Sequence, residues 1–178
     1  MKVHETALEG VLLIEPEVFA DDRGYFLETF QSSKYQELAG IDLPFVQDNY
    51  SRSRRDVLRG LHAQKQHPQG KLVHCTRGAV WDVAADIDPD SATFGQWVGF
   101  ELSDQNHLQL WIPPGYLHGF VVLSEEADFV YKCTDFYRPE DELSIIWNDP
   151  TLAIDWPINT PQVSDKDQQN KRLSELIG

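Results

Sequence analysis

Cysteine is scarce in this sequence: two residues in 178, Cys75 and Cys133, with no C-x-x-C pair. That count indicates neither a disulfide framework nor a zinc site. No apolar run approaches the ~20 residues of a membrane span, and Met1 to Gly10 lacks the basic-then-apolar order of a secretory signal. Internal repeats, low-complexity tracts and linkers are missing too. Positive charge is in short supply, with 15 Lys and Arg against 29 Asp and Glu and a formal charge of -14. Such a surface repels nucleic acid and anionic membrane, so neither is expected as a partner. What remains is a globular composition, 41% hydrophobic and 25% charged. The length fits one domain over residues 1–178, able to bury roughly 70% of its unfolded surface. A cytoplasmic protein is the simplest reading.

Turn signals punctuate short apolar stretches along the chain. Val11 to Glu15 reads as a strand stopped by Pro16, and Asp21-Asp22-Arg23-Gly24 as a tight turn. Tyr25 to Phe30 alternates. Ser32-Ser33 before Tyr35 to Ala39, with Gly40 as a stop, predicts a helix with a serine N-cap. Phe45 to Ser51 reads as a strand with Gln47 and Asn49 on one face. Further strands are expected over Ala79–Ile87, Gly95–Leu102, Leu108–Ile112, Tyr116–Leu123, Phe129–Cys133 and Ile145–Trp147. Many short strands at this spacing predict an all-β sandwich, jelly roll or barrel. Ser164 with Asp167 three residues on is a capping-box pattern, and predicts a terminal helix running through Ile177.

The stretch richest in chemistry is Arg59-Gly60-Leu61-His62-Ala63-Gln64, followed by Lys71-Leu72-Val73. It reads as an antiparallel pair joined by the polar loop Gln66 to Gly70. Alternation puts Arg59, Leu61 and Ala63 on one face and Gly60, His62 and Gln64 on the other. His62 would then lie close to Lys71 across the hairpin. A base beside a fixed cation suits a carbanion reaction, whereas the ordinary reading is a satisfied core histidine and a solvated lysine. Arg52, Arg54, Arg55 and Arg59 gather locally. They read either as an anion site or as the charged edge of a sheet.

His118 follows the turn Pro113-Pro114-Gly115, where metal-binding double-stranded β-helices place a late ligand. Gln64 stands where a paired H-x-H would need a second histidine. His118 is therefore read as a polar residue of the lumen, with no metal expected. Tyr131 is either core packing with a satisfied hydroxyl or a general acid. Asp167 either caps the terminal helix or folds back to hold His62 as a histidine–carboxylate dyad.

An ordered set of motifs goes further. Phe19…Asp22-Arg23-Gly24…Phe26…Glu28, Gln47-Asp48-Asn49…Ser51…Ser53, Leu58-Arg59-Gly60-Leu61-His62…Gln64 and Gln69-Gly70-Lys71-Leu72-Val73 form its first half. Asp82-Val83, Thr93-Phe94-Gly95, Ile112-Pro113…Gly115…His118-Gly119-Phe120, Trp147-Asn148-Asp149, Trp156-Pro157 and Lys166-Asp167 complete it. This set closely resembles the dTDP-4-dehydrorhamnose 3,5-epimerase family. The resemblance implies a cupin-type jelly roll (double-stranded β-helix) with short peripheral helices, no cofactor and usually a homodimer. It implies a dTDP-sugar substrate, dTDP-4-dehydro-6-deoxy-D-glucose, inverted at C3 and C5 to dTDP-4-dehydro-L-rhamnose. By matching position, His62 is the proton acceptor, Tyr131 the proton donor and Asp167 the partner of His62, while Lys71 steadies the enolate oxygen. Arg23, Glu28, Gln47, Asn49, Arg59, His118, Tyr137, Glu142 and Lys166 fall on ligand-binding positions. The sequence departs from the family pattern at Ala63, usually aromatic, at Asp88, often arginine, and at Leu143, usually glycine. Relatives that invert only one of the two carbons share the scaffold.

Overall fold

The computed structural model describes residues 1–176, and the end of the expected terminal helix at Ile177 lies outside them. In chain order the strands are β1 (Lys2–Glu5), β2 (Leu12–Glu15), β3 (Val18–Asp21), β4 (Gly24–Leu27), β5 (Gln47–Arg54), β6 (Leu58–Gln64), β7 (Lys71–Arg77), β8 (Ala79–Ala85), β9 (Trp97–Ser103), β10 (Gln109–Ile112), β11 (Leu117–Val122), β12 (Glu126–Cys133) and β13 (Glu142–Ser144). Helix α1 (Ser32–Ala39) and the single turn α2 (Asp165–Gln168) lie outside the sheets. One antiparallel sheet runs β1-β2-β10-β7-β12-β5 and the other β13-β6-β11-β8-β9, while β3 and β4 form a separate hairpin. This is a cupin-type jelly roll, as the strand spacing and the motif set led us to expect.

Inward-facing positions of both sheets close a core of Val73, Cys75, Val80, Ala84, Leu102, Phe120, Val122 and Phe129. Phe120 stacks on Phe129 with ring centroids 4.2 Å apart. Along several strands the inward row starts apolar and ends polar. On β7 it runs Cys75, Val73, Lys71; on β11 Val122, Phe120, His118; on β12 Phe129, Tyr131, Cys133. A period of two carries these rows, so the polar ends collect at one end of the jelly roll and leave a cavity there.

Several sequence expectations are corrected. Strands β6 and β7 do not pair. Both edges of β7 are taken by β10 and β12, and those of β6 by β11 and β13, so the connection between them crosses from one sheet to the other. His62 and Lys71 therefore belong to opposite walls rather than to adjacent strands. Simple alternation also fails on β6. His62 pairs with His118 but Arg59 with Phe120, so β6 spends one residue more than β11 between these pairs. This bulge turns Arg59 and His62 to the same cavity. Gly60 sits at the bulge with φ of 127°, and a Cβ there would fall 2.7 Å from Gly119 Cα. Only glycine fits that close approach.

The cap of α1 is Gln31, not serine: its side chain accepts from Lys34 N at 3.0 Å, while Gly40 ends the helix at φ 67° as expected. The late strand is Glu142–Ser144, and Ile145 just past it bridges to Lys171 while its backbone exchanges hydrogen bonds with Leu61 at 3.0 and 3.1 Å. The expected terminal helix stops after one turn because the following backbone is used elsewhere. Ile146 N donates to Lys171 O at 2.9 Å, and Leu173 N to Asp149 Oδ2 at 2.8 Å.

Candidate active site

The cavity between the sheets has a volume of about 690 Å³. Eleven of the thirteen residues singled out from the sequence line it: His62, Lys71, Tyr131, Asp167, Gln47, Asn49, Arg59, His118, Tyr137, Glu142 and Lys166. The two others stand apart in this chain. Arg23, at the β3–β4 turn, pairs with Asp21, and Glu28 accepts from Lys34 at 3.2 Å.

His62 Nε2 lies 2.7 Å from Asp167 Oδ1. Ser164 Oγ accepts from Asp167 N at 3.1 Å, so the N-cap of α2 aims the carboxylate at the imidazole. Of the two readings of Asp167, capping belongs instead to Ser164, and the Asp167 carboxylate lies against His62. Burial raises the Asp167 carboxyl, but hydrogen bonds from His62, Ser164 and Asn170 outweigh it and hold the group below its ordinary value. An ionised carboxylate only accepts, so His62 donates through Nε2, which leaves Nδ1 as the other ring nitrogen for chemistry.

Lys71, on the opposite wall, is buried, and burial lowers its ammonium against the pull of Cys133, Asp82 and Glu142. His118, across the β6–β11 ladder from His62, places Nε2 2.8 Å from Asp82 Oδ2. Burial pushes this imidazole down, toward its neutral form, although Asp82 opposes that. Tyr131 pairs with Asn49 and Val73 in the ladders of β12, and burial raises its phenol. It is therefore a protonated hydroxyl at neutral pH.

At the mouth, Glu142 collects donors. Tyr137 Oη donates to its Oε2 at 2.7 Å, Lys166 Nζ at 2.8 Å, and Ser144 Oγ to its Oε1 at 2.6 Å. Burial pushes Glu142 up, yet these bonds hold it down at about 2. Gln47 and Asn49 are joined at 3.0 Å on β5, and Ser53 Oγ accepts from Arg59 Nε at 3.0 Å. The four arginines divide. Arg59 lines the cavity, while Arg52 makes a bidentate pair with Asp128 and Arg55 Nη1 reaches Leu123 O, on and beside the edge strand β5. The charged-edge reading holds for all but Arg59.

Sequence reasoning passed over Asp82 as a site residue, although a carboxylate in the middle of an apolar strand was its signal. It also passed over Cys133, whose residue pairs with Lys71 across β7 and β12. Two departures from the family pattern, Ala63 and Leu143, are register partners across β6 and β13, so a small and a large side chain share one place on the wall. Asp88 lies off the cavity, its N bonded to Asp86 Oδ1. Among the described residues no three His, Cys, Asp or Glu side chains converge as metal ligands would.

Comparison with known proteins gives a consistent result. The sequence model of the family described as dTDP-4-dehydrorhamnose 3,5-epimerase matches residues 5–175. A Pseudomonas aeruginosa protein of that description is 54% identical over 176 residues, 98% of this chain and 97% of its own. The crystal structure of a Legionella pneumophila dTDP-6-deoxy-D-glucose-3,5-epimerase, in complex with dTDP-4-keto-L-rhamnose, superposes with a TM-score of 0.95. It is 54% identical, and the match covers 97% of this chain and 93% of that one. A Streptomyces niveus dTDP-4-dehydrorhamnose 3-epimerase is 40% identical over 176 residues, 98% of this chain and 85% of its own.

Proposed function

The chain belongs to the dTDP-4-dehydrorhamnose 3,5-epimerase family, and we propose that it converts dTDP-4-dehydro-6-deoxy-D-glucose to dTDP-4-dehydro-L-rhamnose by inverting C3 and C5. It is an isomerase. The observation that carries the assignment of roles is that the His62–Asp167 dyad, Lys71 and Tyr131 line one cavity from different elements. Epimerisation beside a ketone is redox-neutral and needs a base, an acid and a place for the oxyanion.

His62, its Nε2–H held by Asp167, takes the proton at C3 or C5 through Nδ1. Each of these carbons flanks the C4 ketone, so its loss of a proton gives an enolate. The carbon acid is far weaker than imidazolium, and Lys71 offsets that by facing the developing charge on O4 in a water-poor site. Tyr131, a protonated phenol on another strand, returns a proton from the opposite face. Arg59, fixed by Ser53, suits the diphosphate, because guanidinium binds phosphate oxygens bidentately. Gln47, Asn49, His118, Tyr137, Glu142 and Lys166 hold the rest of the nucleotide sugar.

Proton NMR of the substrate incubated with the protein in D₂O tests this reading. Signal is expected to disappear at both C3 and C5. Loss at one carbon only would move the protein to the single-epimerase branch, and no exchange at either would refute the reaction.

The working form is proposed to be a homodimer. The β3–β4 hairpin presents Phe19, Tyr25 and Phe26 at 56%, 55% and 68% exposure, with Arg23 at its turn. A second copy covering this apolar face would also give Arg23 and Glu28 a route to a ligand, in the partner's cavity. Light scattering at micromolar concentration should give twice the 20.4 kDa chain mass, and a monomer mass would remove the proposal. The two buried free thiols suit a reducing compartment, so the cytoplasm is the proposed location.

A further inference from the structure

Asp82 has no part in the steps above, yet it is fully buried behind the cavity lining, against His118, with 0% of the residue exposed. Its Oδ2 lies 2.8 Å from His118 Nε2, while its Oδ1 is buried with no hydrogen-bond partner among the described residues. A carboxylate is costly to bury unless a cation offsets it. Burial penalises Lys71 in the same way, and no carboxylate forms a contact ion pair with it among the described residues.

Of the carboxylates near Lys71, only Asp82 keeps a buried oxygen without a hydrogen-bond partner among the described residues. Cys133 on β12 is a thiol that burial raises, so it is neutral at neutral pH, and Tyr131 on the same strand is an undissociated phenol. Glu142 on β13 is occupied by Lys166, Tyr137 and Ser144. His118 on β11 and His62 on β6 supply no negative charge, and Asp167 of α2 is engaged by His62. Asp82 on β8 is left, with a bare oxygen; burial raises its carboxyl, and His118 and Lys71 oppose that rise.

We infer that Asp82 is a positioning residue of the reaction: its charge is the counter-ion that keeps Lys71 an ammonium, and its Oδ2 fixes His118 with the proton on Nε2. The inference rests on the enolate reading, since a neutral amine at position 71 would do little for an oxyanion. Asp82 acts through these two side chains and touches no reacting atom.

The test reads the charge of Lys71 without substrate, by NMR of protein labelled at lysine Cε, the resonance being assigned by its loss in K71Q. In the unaltered protein Lys71 should be an ammonium throughout the neutral range. In D82N its titration midpoint should fall by about one unit or more. The alkaline limb of kcat should move by the same amount, lowering kcat about tenfold at the pH where Lys71 is then neutral, with KM changed little. H118N removes the hydrogen bond but not the carboxylate, so it should leave the Lys71 midpoint high. An unmoved midpoint and alkaline limb in D82N would overturn the inference. If D82N does not fold, the unaltered protein still decides, because a neutral Lys71 at pH 7 overturns it. A protein that keeps the ammonium but exchanges no hydrogen at C3 or C5 would overturn the reaction reading instead.

Discussion

On the cavity floor and just behind it, burial moves Lys71 and His118 down and Tyr131 and Asp82 up, each toward its neutral form. At the mouth the opposite holds. Hydrogen bonds from Lys166, Ser144 and Tyr137 overcome burial and keep Glu142 ionised, while Glu142 in turn raises Lys166. Burial there works against charge, beside the His62 base of the proposed proton transfers. The mouth holds fixed charges, which suit binding and orientation. One cavity thus separates buried groups pushed toward neutrality from paired charges by depth.

The contrast is broken hardest at the floor. His62→Asn, which keeps a polar side chain but no base, should lower kcat by about 10²–10⁴ with KM little changed. Tyr131→Phe should lower formation of inverted product by a similar or smaller factor. It should still let deuterium enter at C3 and C5, because abstraction by His62 survives when donation from the far face does not. Product assays and D₂O exchange on the two variants check this together. Equal loss of exchange in both would deny that the two residues act on opposite faces.

The strand pattern and the polar ends of the strands were legible because period-two alternation survives in β5, β7, β11 and β12. His62, Lys71, Tyr131 and Asp167 could be named because motif order carried them, not because spacing placed them together. Spacing misled at β6, where one extra residue before His62 turned Arg59 to the cavity and a short polar connection crossed between sheets instead of closing a hairpin. Pairing partners are long-range choices, and a local loop composition does not contain them. The terminal helix failed for the same reason: Asp149 and Ile146 claim its backbone from more than twenty residues away. Arg23 and Glu28 lie off the cavity because one chain does not fold its β3–β4 hairpin over its own site.

A smaller effect separates the mouth from the floor by pH. Glu142 carries a folded value of about 2 against an ordinary 4.5, although burial alone would raise it. A carboxyl depressed on folding binds fewer protons in the native state, so it stabilises the fold at pH above the unfolded value. That contribution is lost as pH falls from about 4.5 through about 2. Glu142→Gln keeps the shape and removes the titration. The variant should be less stable than the parent at pH 7, and the difference should narrow by pH 3, with the urea midpoint as readout. Its turnover should suffer less than that of His62→Asn, the loss falling mainly on KM, because in the proposed reaction Glu142 binds substrate and exchanges no proton. A stability difference that stays constant between pH 7 and pH 3 would mean that Glu142 is held by packing. The mouth would then be no more charge-built than the floor.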